Sequence, residues 1–196
     1  VKYKASPLNV KGAMSVSIIP FKMPEPMEIP SHIVDRLREM PGDEAVAYGM
    51  ELLLQIAAAE TILYERVGEG ETLELGEVVG PETGGLKELL AGEYGRPLDE
   101  TKSLARKAFA DGSALLVMGN AEAGEQELPA GLLKFLLAGA EEGNVGFLYV
   151  LPMNGADGRP LGTLTLVRPA ADGPLNHEQP NISEAMRQEL SGILDG

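Results

Sequence analysis

Cysteine is missing from this 196-residue chain, and histidine occurs only twice. Without a thiol there is no disulfide, thiolate metal site, cysteine nucleophile or thioether-linked cofactor. His32 and His177 stand far apart, and two isolated imidazoles do not make a metal site by spacing. His32 reads as a solvated residue in the first turn of a helix, and His177 as a local hydrogen-bonding group where the last helix begins. Ser113 and Ser183 lack the Gly-x-Ser-x-Gly elbow that exposes a serine nucleophile. The glycine-rich run from Gly80 to Gly85 has no Lys-Ser/Thr after it, so it is a connection and not a phosphate loop. Glu69, Glu71, Glu141 and Glu142 read as solvated loop charges, and no carboxylate pair stands out for glycoside hydrolysis. No catalytic residue, metal ligand or cofactor is assigned. Arg106, Arg159 and Arg168 remain as anion contacts, weighed against the blander assignment of exposed, solubilising charge.

Charge narrows the partners. The chain carries 30 acidic against 16 basic residues, a net charge of −14. A phosphate-binding surface needs clustered Lys and Arg, and here they are scattered. Nucleic acid and anionic membrane surfaces are therefore not expected partners. No apolar run reaches the roughly 18 residues of a membrane-spanning helix, and Val1 to Val10 lacks the apolar centre of a signal peptide. A cytoplasmic protein is expected. Aromatic residues make up 5% of the chain and Trp is absent, which weakens the case for a planar cofactor.

The elements follow from periodicity. Residues 1–30, with Pro20, Pro24, Pro26 and Pro30, read as an extended or disordered N-terminal arm, free or packed on a neighbouring subunit. Residues 31–196 read as one domain. Ser31 is placed as a helix cap before Ile33, Val34, Leu37 and Met40, and Asp43 as the cap of a second helix. From Leu52 to Ala59 that second helix is apolar nearly all round, which demands burial on more than one side. Thr61 to Val67 and Thr72 to Val79 form a hairpin, in which Leu73, Leu75 and Val78 share a face only if a bulge falls near Gly76. Short helices are placed at Leu86 to Ala91 and from Asp99 through Phe109, the latter stopped by Gly112. A strand follows over Ser113 to Met118. After the acidic loop Ala121 to Glu127 comes an apolar helix at Leu132 to Ala138, either core or a lid over a pocket. Gly146 to Leu151 and Leu161 to Val167 are strands, joined through the turn dipeptides Asn154-Gly155 and Asp157-Gly158. Asn176 is placed as the cap of the last helix, whose stripe Ile182, Ala185, Met186, Leu190 and Ile193 buries about 150–200 Å², worth about 4 kcal/mol. Such a stripe must pack, within the chain or against a second copy.

The segment Gly146-Phe147-Leu148-Tyr149-Val150-Leu151-Pro152, a variable loop, Leu161-Gly162-Thr163-Leu164-Thr165-Leu166, and Gly173-Pro174-Leu175-Asn176-His177-Glu178-Gln179 running into a helix resembles the C-terminal part of a GAF domain. The helix-Gly-strand unit at Leu104 to Met118 is also similar, and the order of elements extends the resemblance over residues 42–195. PAS-like and profilin-like domains share the architecture. The resemblance implies an α+β fold, a central antiparallel sheet of about six strands with flanking helices. It also implies a sensory or regulatory module that binds a small ligand or a signalling partner protein and forms a homodimer through its terminal helices. A ligand-free interaction or assembly factor on the same scaffold is the alternative. Members that attach bilins or reduce methionine sulfoxide use cysteines, which this chain lacks. The Asn-Lys-Phe-Asp-Glu motif of cyclic-nucleotide-binding members is also missing, and neither histidine suits an axial haem ligand.

Overall fold

The computed structural model describes residues 16–80, 94–119, 147–168 and 172–196. The expected helices at Leu86 to Ala91 and Leu132 to Ala138, and the acidic loop between Ala121 and Glu127, lie outside the described residues. In chain order the described elements are β1 (Val16–Phe21), α1 (Ser31–Arg38), α2 (Gly42–Ile56), β2 (Thr61–Val67), β3 (Thr72–Val79) and β4 (Arg96–Pro97), then α3 (Leu104–Asp111), β5 (Ala114–Gly119), β6 (Phe147–Asn154), β7 (Pro160–Arg168) and α4 (Gln179–Asp195). The strands form one 7-stranded sheet in the order β1-β5-β6-β7-β2-β3-β4. Every pairing is antiparallel.

Alternation along the strands sends side chains to two unlike layers. Ile62 and Tyr64 of β2, Val79 of β3, Tyr149, Leu151 and Met153 of β6, and Leu164 and Leu166 of β7 meet Val46, Met50 and Leu53 of α2 and Met186 and Leu190 of α4 in the main core. The opposite face sets Leu115, Val117, Leu148, Val150 and Val167 against Leu104 and Ala108 of α3. The α4 stripe thus packs within the chain. Gly49 of α2 lets the two long helices close together, for a Cβ there would stand 2.9 Å from Leu190 Cδ1 and 3.1 Å from Met186 Sδ.

Part of the expected arm belongs to the sheet. Val16–Phe21 pairs with β5 along its whole length, and Pro20 is tolerated because the strand stands at the sheet's edge. Phe21 then packs edge-on against Tyr149, ring centroids 5.2 Å apart. Further on, the Met27 N–H donates to Asn181 O at 3.2 Å, and Asn181 Nδ2 donates to Glu25 O at 2.9 Å, so the segment lies along the start of α4 of its own chain.

Helix starts differ from the sequence reading. Pro30 and Pro41, not Ser31 and Asp43, occupy the caps of α1 and α2, since proline's fixed φ suits a helix entrance. Residues Leu98–Glu100 form a 3-10 turn, and α3 starts later, where Ser103 Oγ accepts from Arg106 N at 3.1 Å. Gly112 ends α3 at φ 64°, a left-handed position that suits glycine. The last helix starts at Gln179. Glu178, not Asn176, stands at its cap, and the Gln179 side-chain oxygen accepts from Asn176 N at 3.1 Å, tying the approach to the first helical residue.

The bulge inferred at Gly76 is present. Tyr64 pairs with Glu77 and Glu65 with Leu75, leaving Gly76 opposite no residue. Room at that point is taken by the Tyr64 ring, which also lies against Gly162 of β7. The ring's hydroxyl is buried and meets no hydrogen-bond partner among the described residues. Burial, helped by Asp43 and opposed by Arg66, pushes the Tyr64 phenol from 10.0 up to about 12. The folded protein therefore holds this proton more tightly than the unfolded chain. Its contribution to stability is complete below pH 10.0 and is lost as pH rises through about 12. Denaturant midpoints measured across that window are expected to fall, and to fall less in Tyr64→Phe.

Candidate functional site

The candidate site is built from two adjacent strands. On β2, Thr61, Leu63 and Glu65 point to the α3 side of the sheet. On β7, Thr163, Thr165 and Val167 do the same. Their register pairs Glu65 with Thr163, Leu63 with Thr165 and Thr61 with Val167. All four polar members are buried: Thr61 at 4% exposure, Glu65 at 8%, Thr163 at 0% and Thr165 at 2%. Thr163 Oγ1 donates to Glu65 Oε1 at 3.3 Å. Apolar residues frame the row, with Leu63 and Val78 on one side and the α3-covered cluster of Leu148, Val150 and Val167 on the other.

Buried polar groups are costly unless they are bonded. Here they form a row on a sheet face that is otherwise mostly aliphatic. The row supplies hydroxyls and a carboxylate, groups that form directional hydrogen bonds. It supplies no activated nucleophile. Among the described residues no group of acidic or histidine side chains is arranged to hold a metal ion.

The residues singled out from sequence are not brought to this row. Arg106 Nη1 donates to Thr101 O at 3.0 Å and steadies the entrance to α3. Arg159 Nη2 donates to Asp195 Oδ1 at 3.2 Å, tying the β6–β7 turn to the end of α4. Asp195 also accepts from Ala156 N at 2.9 Å, and chiefly this bond holds its carboxyl below the usual range. Arg168 is not exposed charge at all. It is 2% exposed and turned to the helical side, where its guanidinium donates to the carbonyls of Ala57, Asp172 and Gly173 and to the side chain of Gln179. His32 and His177 are exposed.

Sequence reasoning missed Glu65, Thr163 and Thr165. The alternation of each strand was legible, but the register that sets Glu65 beside Thr163 joins positions about a hundred residues apart, which periodicity does not encode. A groove of about 870 Å³ runs between Pro26 to Ile29, α1 and α4.

An all-antiparallel sheet with α2 and α4 on one face and α3 on the other is a GAF-like fold. Solved structures with this fold include residues 122 to 287 of a methyl-accepting chemotaxis protein, which is 15% identical with TM-score 0.58 over 81% of this chain and 92% of that one. A GAF domain/HD domain protein from Geobacter sulfurreducens is 14% identical, with TM-score 0.57 over 78% and 91%. The GAF domain of a protein described as a sensor histidine kinase from Pseudomonas syringae pv. tomato is 14% identical, with TM-score 0.51 over 84% and 82%. At such identities the likeness is one of fold. No family profile and no curated protein matches the sequence. No helix among the described residues is long and apolar enough to cross a membrane.

Proposed function

We propose that this chain is a sensory or regulatory module that holds a small ligand against the α3 side of its sheet and acts through a partner protein, without chemistry of its own. The observation that carries this reading is the buried row Glu65, Thr163 and Thr165, set in an apolar surface. The GAF-like fold supports it by analogy, since solved domains of this shape come from a chemotaxis protein and a histidine kinase. A homodimer through the terminal helices belongs to the same reading. The alternative, an interaction factor that binds no ligand, is favoured by the groove along α4, which is open enough to receive a protein segment.

Native mass spectrometry of protein from its own source, repeated after denaturation, tests the two. The ligand reading predicts an excess mass that disappears on denaturation and is lost from a Thr163→Val/Thr165→Val variant. It also predicts a native mass of two chains. A bare mass in the wild type, with a partner captured in its place, would favour the interaction factor.

A further inference from the structure

Arg168 is the only buried basic residue among the described residues. Its guanidinium is buried, yet its acceptors among the described residues are all neutral: three backbone carbonyls and one amide oxygen. A buried cation ordinarily has a carboxylate beside it. Here the counter-charge is a helix end. Ala57 is the C-cap of the 15-residue α2, whose terminal carbonyls carry about half a negative elementary charge.

The acceptors come from separate parts of the fold. Ala57 closes α2, Gln179 opens α4, and Asp172 and Gly173 lie in the approach to α4. Gln179 also accepts from Asn176 N, so the start of α4 is organised around the same amide. The guanidinium itself is carried by β7, the strand whose other face bears Thr163 and Thr165. One side chain therefore links the candidate ligand face to the ends of both long helices.

We propose that Arg168 is a releasable latch through which movement of β7 sets the placement of α2 against α4. A carboxylate partner would lock the guanidinium, because separating a buried ion pair leaves two uncompensated charges. Neutral carbonyls leave no second charge behind, so water can take their place once release exposes the guanidinium. Lysine cannot substitute, since an ammonium lacks the planar fork that reaches acceptors on several sides. The latch stands on the hydrogen bonds alone, and its role in signalling rests on the ligand reading above.

Hydrogen exchange on the full chain, without added ligand, tests it. Arg168→Lys is expected to raise exchange at the end of α2 and the start of α4 by about tenfold, leaving β6 within about twofold of wild type. Gln179→Met, which removes one acceptor, is expected to give the same pattern more weakly and serves if the first variant folds poorly. Thr165→Val, on the opposite face of β7, is expected to change exchange at the start of α4 in the wild type and to add nothing in Arg168→Lys. Uniform acceleration over the sheet and helices, or none, overturns the latch. A Thr165→Val effect that persists in Arg168→Lys, or is absent from the wild type, overturns the coupling. Failure to find a ligand by mass leaves these exchange results unaffected.

Discussion

Gly76→Val is expected to lower stability by about 3 kcal/mol, as overpacking of a closed core does. A Cβ at Gly76 would stand 2.6 Å from Tyr64 Cε1, well inside van der Waals contact. The ring cannot retreat. It is 2% exposed, it lies in the main core, and on its other side a Cβ at Gly162 would be 2.9 Å from Cε2. The bulge and the ring are thus one device: the extra residue on β3 bends the strand, and the tyrosine fills the space a side chain would need. Chemical denaturation checks the magnitude. In a Tyr64→Ala background the cost of Gly76→Val is expected to shrink by more than half, because the clash partner is gone.

Gly49→Leu should be comparably damaging, at about 3 kcal/mol, by a different route. Gly49 of α2 faces Met186 and Leu190 of α4 at close range, and a branched side chain there would wedge the helices apart. Gly49→Ala is expected to fall within about 1 kcal/mol of wild type. A single methyl meets only the movable ends of Leu190 and Met186, and the alanine gains about 1 kcal/mol of helix propensity. A thermal-melt series Gly, Ala, Leu at this position therefore separates helix propensity from helix spacing.

The elements were largely legible because their signals are local. The hairpin Thr61–Val67 with Thr72–Val79 follows from β-rich runs around a glycine turn, and the bulge followed from asking which residues must share a face. β1 was hidden by Pro20 and by a partner strand far along the chain. An edge position accepts proline, and position in a sheet is not a local property. The helix caps were misplaced because Ser31, Asp43 and Asn176 are good capping types one or two residues from the true caps, which are Pro30, Pro41 and Glu178.

The candidate site was less legible. Arg168 drew notice as a charge, and its type suggested an anion. Its actual acceptors are carbonyls that the fold collects from α2 and from the approach to α4. Nothing in the identity of Ala57, Asp172 or Gly173 announces a carbonyl held for a guanidinium. Glu65 and Thr163 are ordinary residues until β2 and β7 are side by side.

That adjacency governs how the protein is made. β2 sits between β3 and β7 in the sheet, but β7 is the last of the described strands to leave the ribosome. Until it does, the β2–β3 hairpin presents an open strand edge bearing Ile62 and Tyr64, residues meant for the core. Such a nascent edge invites pairing with another chain. The sheet closes only when a segment about a hundred residues downstream inserts between β6 and β2, a high-contact-order step that is slow compared with helix formation. Synthesis of this chain is therefore expected to depend on holding the hairpin apart from its neighbours until β7 and α4 emerge.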